Sequence, residues 1–196
     1  MSIHAFARWM SLRRTGLFGV ILRLGCRCFL GQLALVNGLP SFAFMDPISQ
    51  RFRTVAWKYA PQDSLALAEL ERRLAEAARK RSLLTYSDLV RGITFNLPTL
   101  REPIRTIDVS DWQDLDRVIV GDFLGYMSMR SYELGGFFSS ALVVSKLDGS
   151  PSEGFYALMK DLGLIASSKT DKAMYLFAEH VAKAHTWYEK HPLPAT

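Results

Sequence analysis

Cysteine is scarce in this 196-residue sequence, and its placement excludes two common ways of holding a chain together. The two cysteines, Cys26 and Cys28, both lie near the start. One Cys-x-Cys pair without a second pair does not complete a structural zinc site. The rest of the chain has no cysteine for a disulfide framework, so we expect a hydrophobic core to stabilise it. Cysteine usage leaves the cellular compartment open, and we favour the cytoplasm.

Acidic residues are missing from the first 44 residues, although five arginines occur there. These are Arg8, Arg13, Arg14, Arg23 and Arg27. Removing them from the 24 basic residues leaves 19, which equals the 19 acidic residues of the chain. The net charge of +5 and the pI near 9.3 therefore arise from the first segment. They do not by themselves indicate an anionic partner for the body of the protein.

The same segment lacks the uncharged apolar run of an export signal. Residues 17–35 are rich in leucine and follow Arg13 and Arg14, but Arg23 and Arg27 interrupt them. An arginine at the middle of a bilayer costs about 2.5–3.5 kcal/mol on insertion scales. We therefore do not expect a membrane span here.

Acidic residues and globular patterning begin at Met45-Asp46-Pro47. We therefore expect residues 45–196 to form a single globular domain. Three alternatives stay open for residues 1–44. We favour an upstream mis-start, with Met45 as the true first residue, over a disordered tail, and we favour a signal or membrane anchor least.

Apolar residues at helical spacing predict that the body is mainly helical. The predicted helices cover residues 65–81, 86–90, 110–133 and 154–162, and a last helix runs from Ser168 or Thr170 to His191. Ser110 and Gln113 have the spacing of a capping box and predict where the third helix begins. The predicted apolar stripe of the last helix consists of Met174, Phe177, Val181, Ala184 and Tyr188.

One stretch has no room for the polar spacing of a surface helix, and we predict a buried strand there. Residues 137–146 are mostly apolar, and the turn-forming pair Asp148-Gly149 follows them. Gly154 is expected to turn the chain tightly into the next helix. Residues 105–109 are expected to pair at a sheet edge. The predicted fold is α+β and mainly helical, with a small sheet centred on residues 137–146.

No catalytic motif is present in the sequence: it has no Gly-x-Ser-x-Gly elbow, Walker loop or dinucleotide fingerprint. His180 and His185 are not the i, i+4 pair that binds a metal on a helix, and we expect them on a solvated face. Glu133, Lys146 and Asp148 have the residue types of a metal nuclease, but nothing in their spacing brings them together. We therefore expect no catalytic residues, no metal and no cofactor.

Three short motifs occur in the order found in a known DNA-binding domain. They are residues 85–89 (Thr-Tyr-Ser-Asp-Leu), 120–124 (Val-Gly-Asp-Phe-Leu) and 141–144 (Ala-Leu-Val-Val), followed by Gly149 and Gly154-Phe155. This layout resembles the winged-helix domain of the alkyltransferase-like proteins, which place a Val-Gly helix in the DNA groove. Residues 139–142 replace the Pro-Cys-His-Arg or Pro-Trp-His-Arg block of that family, so the resemblance implies DNA binding without alkyl transfer. The region is also similar to small bacterial proteins with the pattern Leu-Val-Val-x-Lys-x-x-Gly-x-Pro-x-x-Gly-Phe.

The charge distribution supports a contact with nucleic acid on one part of the body. Residues 51–105 carry 11 basic and 6 acidic residues, whereas the remainder has an acidic excess. We expect a non-enzymatic nucleic-acid-binding or regulatory module of winged-helix type. Duplex DNA is expected to be bound through its phosphates by Arg79, Lys80, Arg81, Arg91, Arg101 and Arg105. The alternative is a module that binds another protein and has no role with nucleic acid. Four aspartates on the helix expected in the groove favour that alternative: Asp111, Asp114, Asp116 and Asp122.

Overall fold

A computed structural model describes residues 46–168 and 170–191, so the expectations for residues 1–44 lie outside the described residues. The helices of the described part are α1 (Pro47–Arg53), α2 (Ser64–Arg79), α3 (Tyr86–Val90), α4 (Asp114–Gly135), α5 (Glu153–Asp161) and α6 (Asp171–Lys190). Its strands are β1 (Leu84–Thr85), β2 (Thr94–Asn96), β3 (Ile104–Thr106) and β4 (Val143–Val144). The prediction of a mainly helical α+β fold is confirmed.

Two small sheets and two hydrophobic clusters organise these elements. Strands β1 and β4 pair in parallel, with Leu84 beside Val143, and β2 and β3 form an antiparallel hairpin. The larger cluster lies between α2, α3, the hairpin and α4. The second cluster forms where α1 and α5 pack near the start of α6, around Phe52, Phe138 and Phe155. Helix α4 supplies side chains to both clusters and is the central element of the fold.

Three predicted helices are confirmed, because each has a local capping signal. An Asp63 carboxylate oxygen accepts the backbone N–H of Leu65 and Ala66 at the start of α2. Thr85 Oγ1 accepts the N–H of Asp88 at the start of α3. Ser152 Oγ accepts the N–H of Phe155 at 3.3 Å and caps α5. Each of these bonds satisfies a donor that the first turn of a helix leaves free.

The predicted start of α4 is wrong by four residues. Ser110 does not cap the helix, because its hydroxyl and its N–H both donate to Asp108 Oδ1 within a turn. The cap is Gln113, whose N–H donates to Asp116 Oδ2 at 2.9 Å. Short polar side chains form such turns as readily as they cap helices, so the pattern alone did not distinguish the two.

The prediction for residues 137–146 is wrong in its secondary structure but right in its burial. Residues 137–144 are buried, as expected, yet Ser139–Leu142 forms a 3₁₀ helix and the strand is limited to β4. The N–H of Ser139 donates to Ser131 Oγ, and the N–H of Ser140 donates to Ser128 Oγ. Hydroxyls of α4 thus take the place of a sheet ladder for these backbone groups.

The β2–β3 hairpin lies between α3 and α4 in the chain. Pairing at a sheet edge is confirmed for Arg105 and Thr106, and the strand begins one residue earlier, at Ile104. Phe95 of β2 is fully buried and contacts Phe123 of α4 edge to face, with ring centroids 5.3 Å apart. The hairpin is therefore fixed to α4 by an aromatic pair.

The predicted apolar stripe of helix α6 is confirmed except at Met174. Ala184 and Tyr188 are buried, and Phe177 and Val181 pack against the second cluster, whereas Met174 is 66% exposed. The expectation of a solvated His180 is wrong, because its Nδ1 accepts the backbone N–H of Phe138 at 3.2 Å. Thr170 caps the helix, in agreement with one of the two predicted caps.

Of the two glycines predicted to turn the chain before α5, one does so and the other does not. Gly149 has a φ of +67°, the left-handed conformation expected of the Asp148-Gly149 turn. Gly154 lies inside the first turn of α5 and does not have a positive φ, so the expected tight turn there is wrong. The entry into α5 is instead fixed by the Ser152 cap.

Candidate nucleic-acid interface

Three consecutive cations end α2 and are all exposed: Arg79, Lys80 and Arg81. Arg81 has a φ of +51°, which terminates the helix. Lys80 Nζ lies 2.7 Å from Glu76 Oε1 within the helix. Arg79 has no carboxylate within ion-pair distance in the part of the chain that the structure describes. Cations at this position also interact favourably with the negative end of the helix dipole.

The end of α6 lies beside the end of α2. Arg81 Nη2 is 2.9 Å from Glu189 Oε2, and this ion pair joins residues 108 positions apart. Because Lys190 follows Glu189 in the last turn of α6, a fourth cation lies at this end of the molecule. Lys190 is not among the cations predicted from the sequence, and no sequence signal links it to α2. We call Arg79, Lys80, Arg81 and Lys190 the cationic end.

Arg91 lies beside the middle of α2 rather than at its end. Helix α3 is held there by Arg73, whose Nη1 donates to the carbonyls of Leu89 and Arg91 at 2.9 and 2.8 Å. The guanidinium of Arg91 is exposed and lies 3.5 Å from Asp88 Oδ1. Arg91 is therefore not part of the group of cations at the end of α2.

Arg101 and Arg105 lie at the opposite end of α2. The hairpin is anchored there because the N–H of Asn96 donates to Asp63 Oδ2 at 2.7 Å, next to the first turn of α2. A helix of 16 residues is about 24 Å long. Arg101 is exposed in the hairpin loop. The structure thus brings Arg79, Lys80 and Arg81 together and separates them from these two arginines.

Arg105 has a structural role of its own. Its Nε donates to Asp116 Oδ1 at 2.6 Å, and the Asp116 side chain is only 2% exposed. The other oxygen of Asp116 accepts the N–H of Gln113 at the start of α4. This carboxylate therefore holds the hairpin against α4, so Arg105 is engaged before any phosphate reaches it.

Only two of the four aspartates expected on the groove helix, Asp111 and Asp114, are exposed. Asp116 and Asp122 are both buried and hydrogen-bonded within the fold. The Val-Gly segment that the resemblance would place in a groove is also internal, since Val120 is 2% exposed and Phe123 is fully buried. Helix α4 thus neither repels phosphates with Asp116 and Asp122 nor offers that segment to DNA.

A buried polar cluster beneath the 3₁₀ helix has the residue types of a nucleophile and a base. Ser128 Oγ donates to Ser140 Oγ at 2.7 Å, and His180 Nδ1 accepts the N–H of Phe138. Burial lowers the pKa of His180 to about 4, helped by the charge of Lys183 and opposed by that of Glu179. No described serine hydroxyl donates to His180, so these residues do not form an activated nucleophile. The cluster stabilises the fold.

Residues 46–168 and 170–191 contain no group of three or more His, Cys, Asp or Glu placed to hold a metal ion. No helix within those ranges is long and apolar enough to cross a membrane. Comparisons with protein-family models, curated proteins and solved structures found no match to this chain. Its function is therefore inferred from its own geometry.

Proposed function

We propose that this chain is a non-enzymatic nucleic-acid-binding module that contacts the phosphates of duplex DNA with its cationic end. The observation that carries the proposal is the Arg81–Glu189 ion pair, which joins the ends of α2 and α6. It adds Lys190 to three consecutive exposed cations. Phosphate contacts from such a cluster supply affinity without reading the base sequence.

Only part of this charge is already neutralised within the chain. Glu76 and Glu189 are the two carboxylates paired with the cationic end, against its four positive charges. The side chains of Lys80 and Arg81 are 67% and 65% exposed, so a phosphate can replace their carboxylate partners at little cost. Arg79 is available without any exchange. The cationic end thus offers up to four phosphate contacts.

The winged-helix-like architecture is part of the same proposal. Along the chain come the helix α2, the strand β1, the helix α3 and the β2–β3 hairpin. This order supports the resemblance to a winged-helix domain. Because the Val-Gly segment of α4 is buried, we propose binding through the ends of two helices rather than through a helix inserted in the groove. The recognition is then mainly of the backbone and weakly dependent on sequence.

Fluorescence anisotropy of a labelled duplex with the full chain tests this proposal. Four contacts predict a slope of log affinity against log salt of roughly −3.6, or a loss of about 100-fold between 50 and 200 mM salt. The test variant is Arg79→Ala/Lys80→Ala/Lys190→Ala, which keeps the Arg81–Glu189 pair. Its slope is expected to be shallower by about 3 units. The matched control, Arg53→Ala/Lys146→Ala/Lys160→Ala, removes the same charge from exposed positions elsewhere in the chain.

Three results would overturn the proposal. These are absence of binding at low salt, equal losses in the test and control variants, and an unchanged test variant. Arg101→Ala is measured alone, and a loss there with the test variant unchanged would assign the contact to the hairpin instead. Circular dichroism of each variant confirms that the fold is retained.

Binding to another protein is the second candidate function. The observation that favours it is a pair of neighbouring exposed apolar side chains on α6, Met174 and Tyr175, which are 66% and 77% exposed. Exposed apolar side chains of this size are typical of interaction surfaces when they are grouped.

A further inference from the structure

A flat aromatic pair lies at the end of α6, beside the cationic end. The rings of Trp187 and His191 are nearly parallel, 19° apart, and their centroids are separated by 4.7 Å. Trp187 is half-buried, whereas His191 is exposed. Because Trp187 covers one face of the imidazole ring, the exposure of His191 belongs to its other face and its edge. Another stacked pair, Tyr132 and Phe138, differs in that Phe138 is fully buried.

Contacts within the fold hold this pair in place. Trp187 contacts Phe137, with ring centroids 5.5 Å apart. It also lies against Gly135, where an added Cβ would be 2.5 Å from the Cδ1 of Trp187, so only glycine allows this approach. The Nδ1 of His191 is 2.9 Å from the carbonyl oxygen of Trp187. A ligand that stacks on His191 therefore loses little affinity to the ordering of side chains.

The charges next to the pair select the ligand. Lys190 precedes His191 in the chain, and Glu189 joins the same turn to Arg81 of the cationic end. An exposed ring binds flat aromatic groups in general, but the cations beside it favour a group that carries phosphate. A nucleotide has both parts. Bases inside a duplex are covered on both faces and are costly to extrude, so an unpaired base next to the duplex is the ligand that fits.

We propose that His191 stacks on an unpaired base that adjoins the duplex while the cationic end binds the phosphates. The substrate class is then a duplex with a single-stranded overhang, and not a continuous duplex. The phosphate contacts rest on the proposed function, and the stacking contact is added to them. Stacking on a side-chain ring tolerates any base, which agrees with recognition of the backbone.

Two overhang probes separate stacking from phosphate contact. Both contain the same labelled duplex, one with an overhang of three thymidines and the other with three abasic nucleotides, so their charges are equal. In fluorescence anisotropy with the full chain, we expect the thymidine probe to bind about 5-fold to 10-fold more tightly, at the low end for stacking because imidazole is a small ring. The slope of log affinity against log salt is expected to be equal for the two probes, because stacking releases no counterions.

Variants assign the preference to one ring. His191→Ala is expected to reduce the ratio of the two affinities to about 1, and His191→Tyr, which restores an aromatic ring, is expected to keep it. Tyr175→Ala is the matched control, because it removes a ring that is 77% exposed on the same helix, about 24 Å from His191 along the axis. That control is expected to keep the full preference. Circular dichroism of each variant confirms that the fold is retained.

The outcomes distinguish this proposal from the proposed function. Equal affinities of the unaltered chain for the two probes would overturn stacking and leave the phosphate contacts standing. Binding of the thymidine probe alone would support stacking and contradict the phosphate contacts. Binding of neither probe at low salt would overturn both. A preference that survives in His191→Ala, or that falls equally in Tyr175→Ala, would overturn the role of His191.

Discussion

The ion pairs of α2 and the carboxylates of α4 are built from the same residue types but have different partners. On α2, Glu69, Arg72, Glu76 and Lys80 form a chain of pairs three or four residues apart, and every side chain in it is at least 34% exposed. On α4, Asp116 and Asp122 are buried and bind groups from other segments. The first set supports one helix, whereas the second holds separate parts of the chain together.

Burial and partner number decide how much each set stabilises the protein. An exposed pair on a helix contributes about 0.3–0.5 kcal/mol, because water and salt screen it. A buried carboxylate that accepts several N–H groups leaves all of those donors unsatisfied when it is removed, at about 1–3 kcal/mol for each. We therefore expect α4 to be sensitive to loss of a carboxylate and α2 to be tolerant of it.

Asp122 is expected to give the largest effect. Its carboxylate accepts the N–H groups of Lys58, Tyr59 and Ala60 at 2.9, 2.8 and 2.9 Å, which fixes the segment before α2. Asp122→Ala leaves three donors without a partner, and we expect a loss of about 3–6 kcal/mol in the free energy of unfolding. Urea denaturation followed by circular dichroism measures the loss.

Asp122→Asn is the matched control for that experiment. It keeps the shape of the side chain and one acceptor oxygen, so we expect a smaller loss than for alanine. Equal losses for the two variants would mean that volume, and not hydrogen bonding, accounts for the effect.

His180 extends the comparison to a buried group that is neutral in the folded protein. Burial lowers its pKa from about 6.5 to about 4, so the folded chain resists a proton that the unfolded chain accepts. The stability that this preference contributes is complete above pH 6.5 and is lost as the pH falls to 4. We expect that loss to be about 3 kcal/mol.

Denaturation at several pH values with His180→Asn isolates this contribution. The asparagine side chain can still accept the N–H of Phe138 but does not titrate, so its stability is expected to change less between pH 6.5 and 4. The two curves would run parallel if the pH dependence came from other groups, such as Glu71, whose pKa is raised by burial.

The sequence could predict those features of this protein that depend on residues close together in the chain. The caps Asp63 and Thr85 act within three residues, and the helices that they begin were predicted within two residues at either end. Ser110 has the same short reach, but Asp108 competes for it, so the start of α4 was predicted wrongly. A competition of this kind is decided by three-dimensional packing, which the spacing of polar residues does not contain.

The candidate interface shows the same limit. Basic composition selected six residues, but the fold distributes them along the length of α2, and Arg105 is paired with Asp116. The Arg81–Glu189 contact, between residues 108 positions apart, brings the last turn of α6, which carries Lys190, to the end of α2. Residues 137–146 were expected to be a strand because they are mostly apolar, whereas the hydroxyls of Ser131 and Ser128 on α4 accept the backbone N–H groups of Ser139 and Ser140. In each case the deciding partner is distant in sequence.

Removal of the Asp116 carboxylate on α4 is expected to cost less stability than removal of Asp122 and more than removal of an exposed carboxylate on α2. Asp116→Ala leaves Arg105 and the N–H of Gln113 without their acceptor, but Arg105 is 25% exposed and can turn toward water. We therefore expect a loss of about 2–3 kcal/mol by urea denaturation, at the low end for a broken buried pair. Arg105→Met/Asp116→Leu is expected to lose less than the single change, because no buried charge is left unpaired. A double variant with a lower free energy of unfolding than Asp116→Ala would contradict this explanation.

Glu69 is expected to give the smallest effect, although its pKa is lowered to about 2 by hydrogen bonds from Arg72 and Arg73, which outweigh its desolvation. A lowered pKa means that the charged form is favoured in the folded chain, so its contribution is present above about pH 4.5 and is lost as the pH falls to about 2. The side chain is 34% exposed and both of its partners lie on the same helix, so solvent screens the gain. Glu69→Gln is therefore expected to cost less than about 1 kcal/mol at pH 7, and 1 M salt should remove most of the difference. A loss above about 2 kcal/mol that persists in salt would show that α2 depends on its carboxylates as α4 does, because only a poorly solvated pair keeps its strength under screening.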